Sequence, residues 1–211
     1  MTVLALIAID GPGGSGKSTV ARAVAARLGL AHLDTGAMYR AVAYAALRHN
    51  LDPGDGAALG QLAGRMSLEV GERVVVDGED ATAAIRGPDV TRVVSQVSAH
   101  PEVRAEMVRR QRAWAEGHGG GVVEGRDIGT VVFPHADLKV FLTASDEERA
   151  RRRAADLGTA DRGRVAAELA VRDRLDSTRA VSPLAVADGA LVIDTTARPV
   201  DDVVEEVVAK L

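Results

Sequence analysis

The 211-residue sequence predicts an α/β fold, a parallel sheet covered on both faces by helices, and three observations predict it. Short apolar runs alternate with longer segments of helical composition. The first such run, Val3 to Ile9, passes through Asp10 and a glycine-rich turn into the breaker-free segment Thr19 to Leu28, which reads as strand, loop and helix. Towards the other end, Leu191 to Ile193 reads as a last strand before a closing helix.

Between these ends the elements follow in order. His32 and Leu33 close a short second strand, and Thr35 to Arg48, rich in Ala and Leu, reads as a helix with Asp34 or Thr35 as its cap. Asn50 to Gly56 reads as a loop. From Ser67 to Ala81 the character changes: β-branched runs at Leu68 to Val70 and Val74 to Val76 flank Gly71-Glu72 as in a hairpin, which predicts a small inserted β unit. Asp89 to about Ala99 is helix-like, Pro101 restarts a helix running to Glu116, and Gly119 to Glu124 is a buried strand. Leu138 to Leu142 is a further strand, Ser145 caps a long arginine-rich helix, and Val165 to Arg174 is helical.

The length suits one well-buried domain, or one carrying a small insertion. A hydrophobic content of 46% and a charged content of 27% are those of an ordinary soluble globular protein. Val3 to Ile9 is far short of the roughly 20 residues that a membrane-spanning helix requires, and it lacks a basic leader. With no cysteine and no signal segment, the expected address is the cytoplasm. A net charge of -4 argues against a general nucleic-acid binder, so any anion site must be local. The 23 arginines against 3 lysines reflect genome base composition before chemistry, and an arginine cluster alone carries little weight.

Gly11-Pro12-Gly13-Gly14-Ser15-Gly16-Lys17-Ser18 fits G-x-x-x-x-G-K-[ST] and lies between an apolar run and a helix, where a phosphate loop belongs. Its backbone N–H groups and the helix N-terminus would cradle phosphates, Lys17 would reach the β- and γ-phosphates, and Ser18 would ligate Mg²⁺. The same letters spell Gly11-x-Gly13-x-x-Gly16, a dinucleotide fingerprint, with Asp34 at about the spacing of a ribose-binding acid. Against that alternative, Lys17-Ser18 has no role in a dinucleotide site, and Asp10 would set a charge where a pyrophosphate approaches.

A guanine-reading Asn-Lys-x-Asp is absent, since Asn50 is the single asparagine and Leu51 follows it. A protein-kinase catalytic loop is excluded because no asparagine follows Arg126-Asp127 at the required offset and no D-F-G occurs. A small-molecule kinase remains. Its acceptor-binding groups should lie on loops after the strands, and three segments qualify: Asp34 to Arg40, Glu124 to Gly129, and Arg172, Asp176 and Arg179, which fall at i, i+4, i+7 on one helical face. A solvated ion-pair ladder explains that last spacing equally well.

The set Gly11 to Ser18, Asp34-Thr35-Gly36-Ala37-Met38-Tyr39-Arg40, Arg109-Arg110-Gln111-Arg112, Glu124-Gly125-Arg126-Asp127-Ile128-Gly129-Thr130-Val131-Val132-Phe133-Pro134 and Arg172-Asp173 through Arg179-Ala180 resembles bacterial cytidylate kinase over essentially the whole chain. The resemblance implies a P-loop NTPase core around a parallel sheet of about five strands, with a nucleoside-monophosphate-binding insertion and a lid over ATP. It implies a single kinase domain over 1–211, with a core at 1–64 and about 100–211, an insertion at about 65–99 and a lid at about 154–164.

Residue by residue, the resemblance implies that Gly11, Pro12, Gly13, Gly14, Ser15, Gly16, Lys17, Ser18, Thr19 and Arg153 hold ATP, with Mg²⁺ at Ser18. Ser95, Arg104 and Asp127 would read cytosine, and Arg172 and Asp176 would hold the ribose. Arg40, Arg126 and Arg179 would grip phosphates, while Thr35, Gly36 and Tyr39 would line the acceptor site. Lys17, Arg126 and Arg179 are the expected catalytic groups. Thr35 stands where many relatives carry serine, and Glu124 where they carry aspartate. The expected partners are ATP and CMP or dCMP, with no nucleic acid and no membrane, and the expected state is a monomer.

Overall fold

The computed structural model describes residues 5–211, so Val3 and Leu4, the expected start of the first strand, lie outside the described residues. In chain order the elements are β1 (Leu6–Asp10), α1 (Lys17–Leu28), β2 (His32–Asp34), α2 (Thr35–Arg48), α3 (Gly56–Arg65), β3 (Leu68–Val70), β4 (Val74–Val76) and β5 (Glu79–Asp80). A 3₁₀ turn at Ala84–Arg86 precedes α4 (Pro88–Val97), α5 (Pro101–His118), β6 (Gly121–Gly125) and a π-type turn at Ile128–Val132. Then come β7 (Leu138–Thr143), α6 (Asp146–Asp156), α7 (Arg162–Thr178), β8 (Leu191–Asp194) and α8 (Val200–Val208).

The chain divides into two compact units, one made of Met1–His32 with His118–Leu211 and the other of Leu33–Gly117. The first holds β6, β1, β7 and β8 of the parallel sheet, whose strand order is β2-β6-β1-β7-β8. Asp10 stands opposite Gly125 on one side of β1 and opposite Phe141 on the other, which fixes where the strand ends fall. Ile7, Ile9, Val122, Val140, Leu142 and Ile193 are buried with Val20 and Val24 of α1 and Val203, Val204 and Val207 of α8. The central strands thus carry near-continuous apolar side chains, as two-sided burial demands.

The second unit packs Leu59, Leu62, Val74, Val76, Ile85, Val94, Val97 and Met107 out of solvent. β3 and β4 form the expected hairpin, and β5 adds a third antiparallel strand. Asp77 and Gly78, both at positive φ (49° and 83°), make the turn between β4 and β5; an Asp-Gly pair supplies the left-handed pairing that such a turn needs.

Two further differences concern helices. Helix α3 occupies a stretch not assigned as helix, because Gly56, Gly60 and Gly64 depress its propensity. Asp55 caps it by accepting from Ala58 N at 3.0 Å, and Leu59, Leu62 and Ala63 form its buried stripe. At the other difference, α7 ends at Thr178, so Arg179 is not on the helix but follows it in extended backbone. Ser177 and Thr178 hydroxyls donate back to the carbonyls of Asp173 and Arg174 four residues earlier, and beyond the helix end Leu184 N donates to the Asp176 carbonyl at 2.8 Å.

Candidate active site

The glycine loop joins β1 to α1, and its neighbours leave no room for side chains at Gly11 and Gly14. A Cβ on Gly11 would lie 2.1 Å from the Leu142 carbonyl oxygen, and one on Gly14, at φ 76°, would lie 2.8 Å from that of Arg149. The loop is braced from outside: Asp173 Oδ1 accepts from Gly13 N at 3.3 Å, Arg149 donates to Gly13 O at 3.1 Å and also pairs with Asp173, and Thr195 Oγ1 donates to Ser15 O at 3.0 Å. The sequence motifs do not mark Arg149, Asp173 or Thr195, since nothing in their spacing ties them to residues 13–15.

Within the loop, Lys17 is buried and its Nζ donates to Pro12 O at 3.0 Å. Ser15 Oγ is buried with no hydrogen-bond partner among the described residues, an unmet donor inside a phosphate-binding loop. Ser18 Oγ donates to Glu124 Oε2 at 2.6 Å, while His32 Nε2 meets Glu124 Oε1 at 3.1 Å. Burial alone would raise the Glu124 pKa, but the His32 hydrogen bond, the Lys17 charge and the Ser18 hydroxyl together bring it below the usual value. A buried carboxylate kept ionised beside a serine hydroxyl is a hard-oxygen pair of the kind that suits Mg²⁺, which takes one or two carboxylates and completes its shell with phosphate and water. Thr19 is exposed at the start of α1.

The same unit gathers four charges from the two residues that join β6 to the turn after it and from the end of α7 and the residue beyond it. Arg126 Nε donates to Asp176 Oδ2 at 2.9 Å; Arg179 lies 3.7 Å from Asp176 Oδ1 and donates to Asp127 Oδ1 at 3.3 Å. With side-chain exposures of 14%, 7%, 7% and 5% for Arg126, Asp176, Arg179 and Asp127, this is a buried alternating network and not a solvated ladder. Burial would raise the Asp176 pKa; the charges of Arg126 and Arg172 and the Arg126 hydrogen bond outweigh it and hold the carboxyl below its usual value. Arg172 approaches Asp176 only to 4.0 Å, and its Nε has no hydrogen-bond partner among the described residues. Desolvation and the neighbouring Arg126 charge push Arg172 down to about 10, still protonated at neutral pH. Arg126 also reaches the loop: its NH2 would lie 3.9 Å from a Cβ on Gly13.

Of the arginines on α6, Arg152 is engaged, donating to Glu148 and to both Thr195 oxygens at 2.7–2.9 Å. Arg153 carries no side-chain hydrogen bond or ion pair among the described residues, and its charge acts on Arg172.

In the second unit, Asp34 caps α2 by accepting from Ala37 N at 3.0 Å, which sets Thr35 and Gly36 in its first turn. Arg40 is buried and donates to Ile85 O and Thr91 Oγ1 at 3.1 and 3.0 Å. Arg104 of α5, 2% exposed, stacks 5.2 Å from the Tyr39 ring centroid and donates to Ser98 O at 3.3 Å. Ser95 lies half-buried on α4, its carbonyl accepting from Ser98 Oγ at 3.1 Å. The structure thus brings Lys17, Ser18, Arg126, Asp127, Arg172, Asp176 and Arg179 together in one unit, and Tyr39, Arg40 and Arg104 in the core of the other.

The family model described as cytidylate kinase matches residues 7–211. A cytidylate kinase of Symbiobacterium thermophilum is 51% identical over 96% of this chain and 93% of its own length. A bifunctional pantoate ligase/cytidylate kinase of Synechococcus is 50% identical over 99% of this chain, which spans 45% of that protein. Among solved structures, TT1252 from Thermus thermophilus superposes with a TM-score of 0.51 at 21% identity, covering 98% of this chain and 97% of that one, a likeness of fold.

Proposed function

This chain belongs to the cytidylate kinase family, and from that premise we propose that it moves the γ-phosphoryl group of ATP onto CMP or dCMP, giving CDP or dCDP. The observation that carries the reading is the buried Arg126–Asp176–Arg179–Asp127 network, whose Arg126 end reaches the glycine loop that bears Lys17. Two cationic groupings in one unit suit a reaction between two polyanions.

The acceptor phosphate is a monoester and mostly a dianion at neutral pH, so no side chain need act as its base. Catalysis then rests on alignment and on neutralising charge over the transferring group. Lys17 supplies an ammonium against the loop, and Arg126 and Arg179 supply planar guanidinium groups whose forks match phosphate oxygens. The carboxylates of Asp127 and Asp176 keep those guanidinium groups oriented before substrate arrives. Ser18 and Glu124 would hold Mg²⁺, which would supply positive charge to offset that of the phosphates. Arg153, uncommitted in the structure, is assigned to the ATP side with Gly11 to Thr19.

For the acceptor, Asp127, Arg104 and Ser95 are assigned to cytosine, Arg172 and Asp176 to the ribose, and Arg40 to the phosphate with Thr35, Gly36 and Tyr39. Cytosine offers its N4 amino group to a carboxylate, whereas uracil presents an oxygen that a carboxylate repels. A monomer and a cytoplasmic address complete the proposal. Among the described residues no helix is long and apolar enough to cross a membrane.

A coupled assay of ADP release with CMP, dCMP, UMP, AMP and shikimate tests the reading. The cytidine nucleotides should support turnover at least a hundredfold better than UMP, since leaving a buried polar group unpaired costs about 1–3 kcal/mol and a repelled carboxylate adds to it. Equal turnover with AMP or shikimate would replace it with a kinase for another acceptor.

A further inference from the structure

The turn after β6 is capped by an acid from a different strand. Its N-cap residue is Asp127, and aspartate is among the best residues for taking the unbonded N–H groups at such a position. Asp127 makes no capping bond; its Oδ1 accepts from Arg179 instead. The N–H groups of Ile128 and Gly129 go to Asp10 at the end of β1, bonding Oδ1 at 2.8 Å and Oδ2 at 2.7 Å. Asp10 is 3% exposed and stands opposite Gly125 in the parallel register, so its carboxylate meets the turn without leaving the sheet.

We propose that Asp10 is a positioning residue: by taking the two N–H groups at the head of the turn, it keeps the Asp127 carboxylate off its own turn and directed to Arg179 and the acceptor base. This rests on the reading of Asp127 as a cytosine contact. The two acids compete for one pair of donors and repel each other, with Arg126 the nearby cation. Giving one acid the backbone donors and the other a guanidinium satisfies both. An Asp10→Asn side chain has nearly the same shape but presents an NH₂ donor to one of the two N–H groups, which leaves that N–H open to Asp127, the N-cap residue of the same turn.

The test is steady-state kinetics of Asp10→Asn, Asp127→Ala and the double variant in the full chain, with CMP, UMP and ATP each varied. The Michaelis constant for CMP should rise about tenfold in Asp10→Asn and its preference over UMP should fall, while that for ATP stays within about twofold. In the Asp127→Ala background, Asp10→Asn should add nothing further to the CMP effect. Equal losses for ATP and CMP, or additive losses in the double variant, would overturn the positioning role and leave the kinase reading standing. No CMP-dependent turnover in the parent protein would overturn both. Should Asp10→Asn not fold, hydrogen exchange decides: the Ile128 and Gly129 amides stay protected in Asp127→Ala, and loss of their protection there overturns the proposal.

Discussion

Ser18 Oγ donates to Glu124 Oε2 at 2.6 Å, joining the last residue of the glycine loop to the fourth residue of β6. Because His32 holds the other carboxylate oxygen at 3.1 Å, Glu124 has one orientation, and the hydroxyl and carboxylate present hard oxygens together.

Glu124→Gln keeps the shape and removes the charge. The Mg²⁺ concentration for half-maximal rate should rise by about 10- to 100-fold, the usual cost of disturbing a group that holds or orients metal oxygens. A magnesium titration of turnover checks it; an unshifted midpoint would separate Glu124 from the metal.

Asp176 is the shared anion of Arg126, Arg179 and Arg172. Asp176→Ala leaves buried guanidinium groups facing one another without it, and should cost about 3–5 kcal/mol of stability, measured by urea unfolding at neutral pH. A loss under about 1 kcal/mol would mean that solvent screens the network. The depressed Asp176 pKa makes this contribution present above the usual aspartate pKa and lost as pH falls through the lower folded value.

Asp10 has the opposite sign. Desolvation raises its pKa from 3.8 to about 6, against the pull of the Gly129 and Ile128 N–H groups, with Asp127 adding to the rise and Arg126 opposing it. The folded state therefore binds the proton more tightly than the unfolded chain, and the contribution is present below 3.8 and lost as pH rises through about 6. Relative to the non-titrating Asp10→Asn, the parent protein should lose about 2 kcal/mol of unfolding free energy between about pH 4 and pH 7. Urea unfolding at intervals across that range checks it; a difference that grows with pH would show the carboxyl to be depressed instead.

Arg152 and Arg153 are adjacent in sequence and differ in engagement. Arg152→Ala removes bonds to Glu148 and Thr195 and should cost about 1–2 kcal/mol of stability. Arg153→Ala should leave stability within about 0.5 kcal/mol and raise the Michaelis constant for ATP several-fold. Thermal melts and ATP kinetics on both variants distinguish the two; the reverse pattern would move the nucleotide contact to Arg152.

The fold was legible where chemistry is local. The glycine loop between β1 and α1, the caps at Asp34 and Ser145, and the hairpin around Gly71-Glu72 each follow from a few neighbouring residues. Helix α3 was hidden because three glycines obscured a stripe that packing completes. At the site, the motif residues were readable, and the groups that hold them were not. Arg149 and Asp173 bind Gly13 from 136 and 160 positions away, and Asp10 caps a turn 118 positions on. No local periodicity encodes such pairings; the parallel register of β1 with β6 brings Asp10 to the turn, and α6 packed on α7 brings Arg149 and Asp173 together. Spacing alone placed Arg179 on a helix, whereas α7 ends one residue earlier and Arg179 takes extended backbone.

The central claim is that the terminal phosphate of ATP passes to CMP, and following a radiolabel from the γ-position tests it most directly. With CMP and Mg²⁺ present, chromatography should find the label in CDP, with little in inorganic phosphate. Label released as inorganic phosphate at a rate indifferent to CMP, or retained in ATP, would contradict the account.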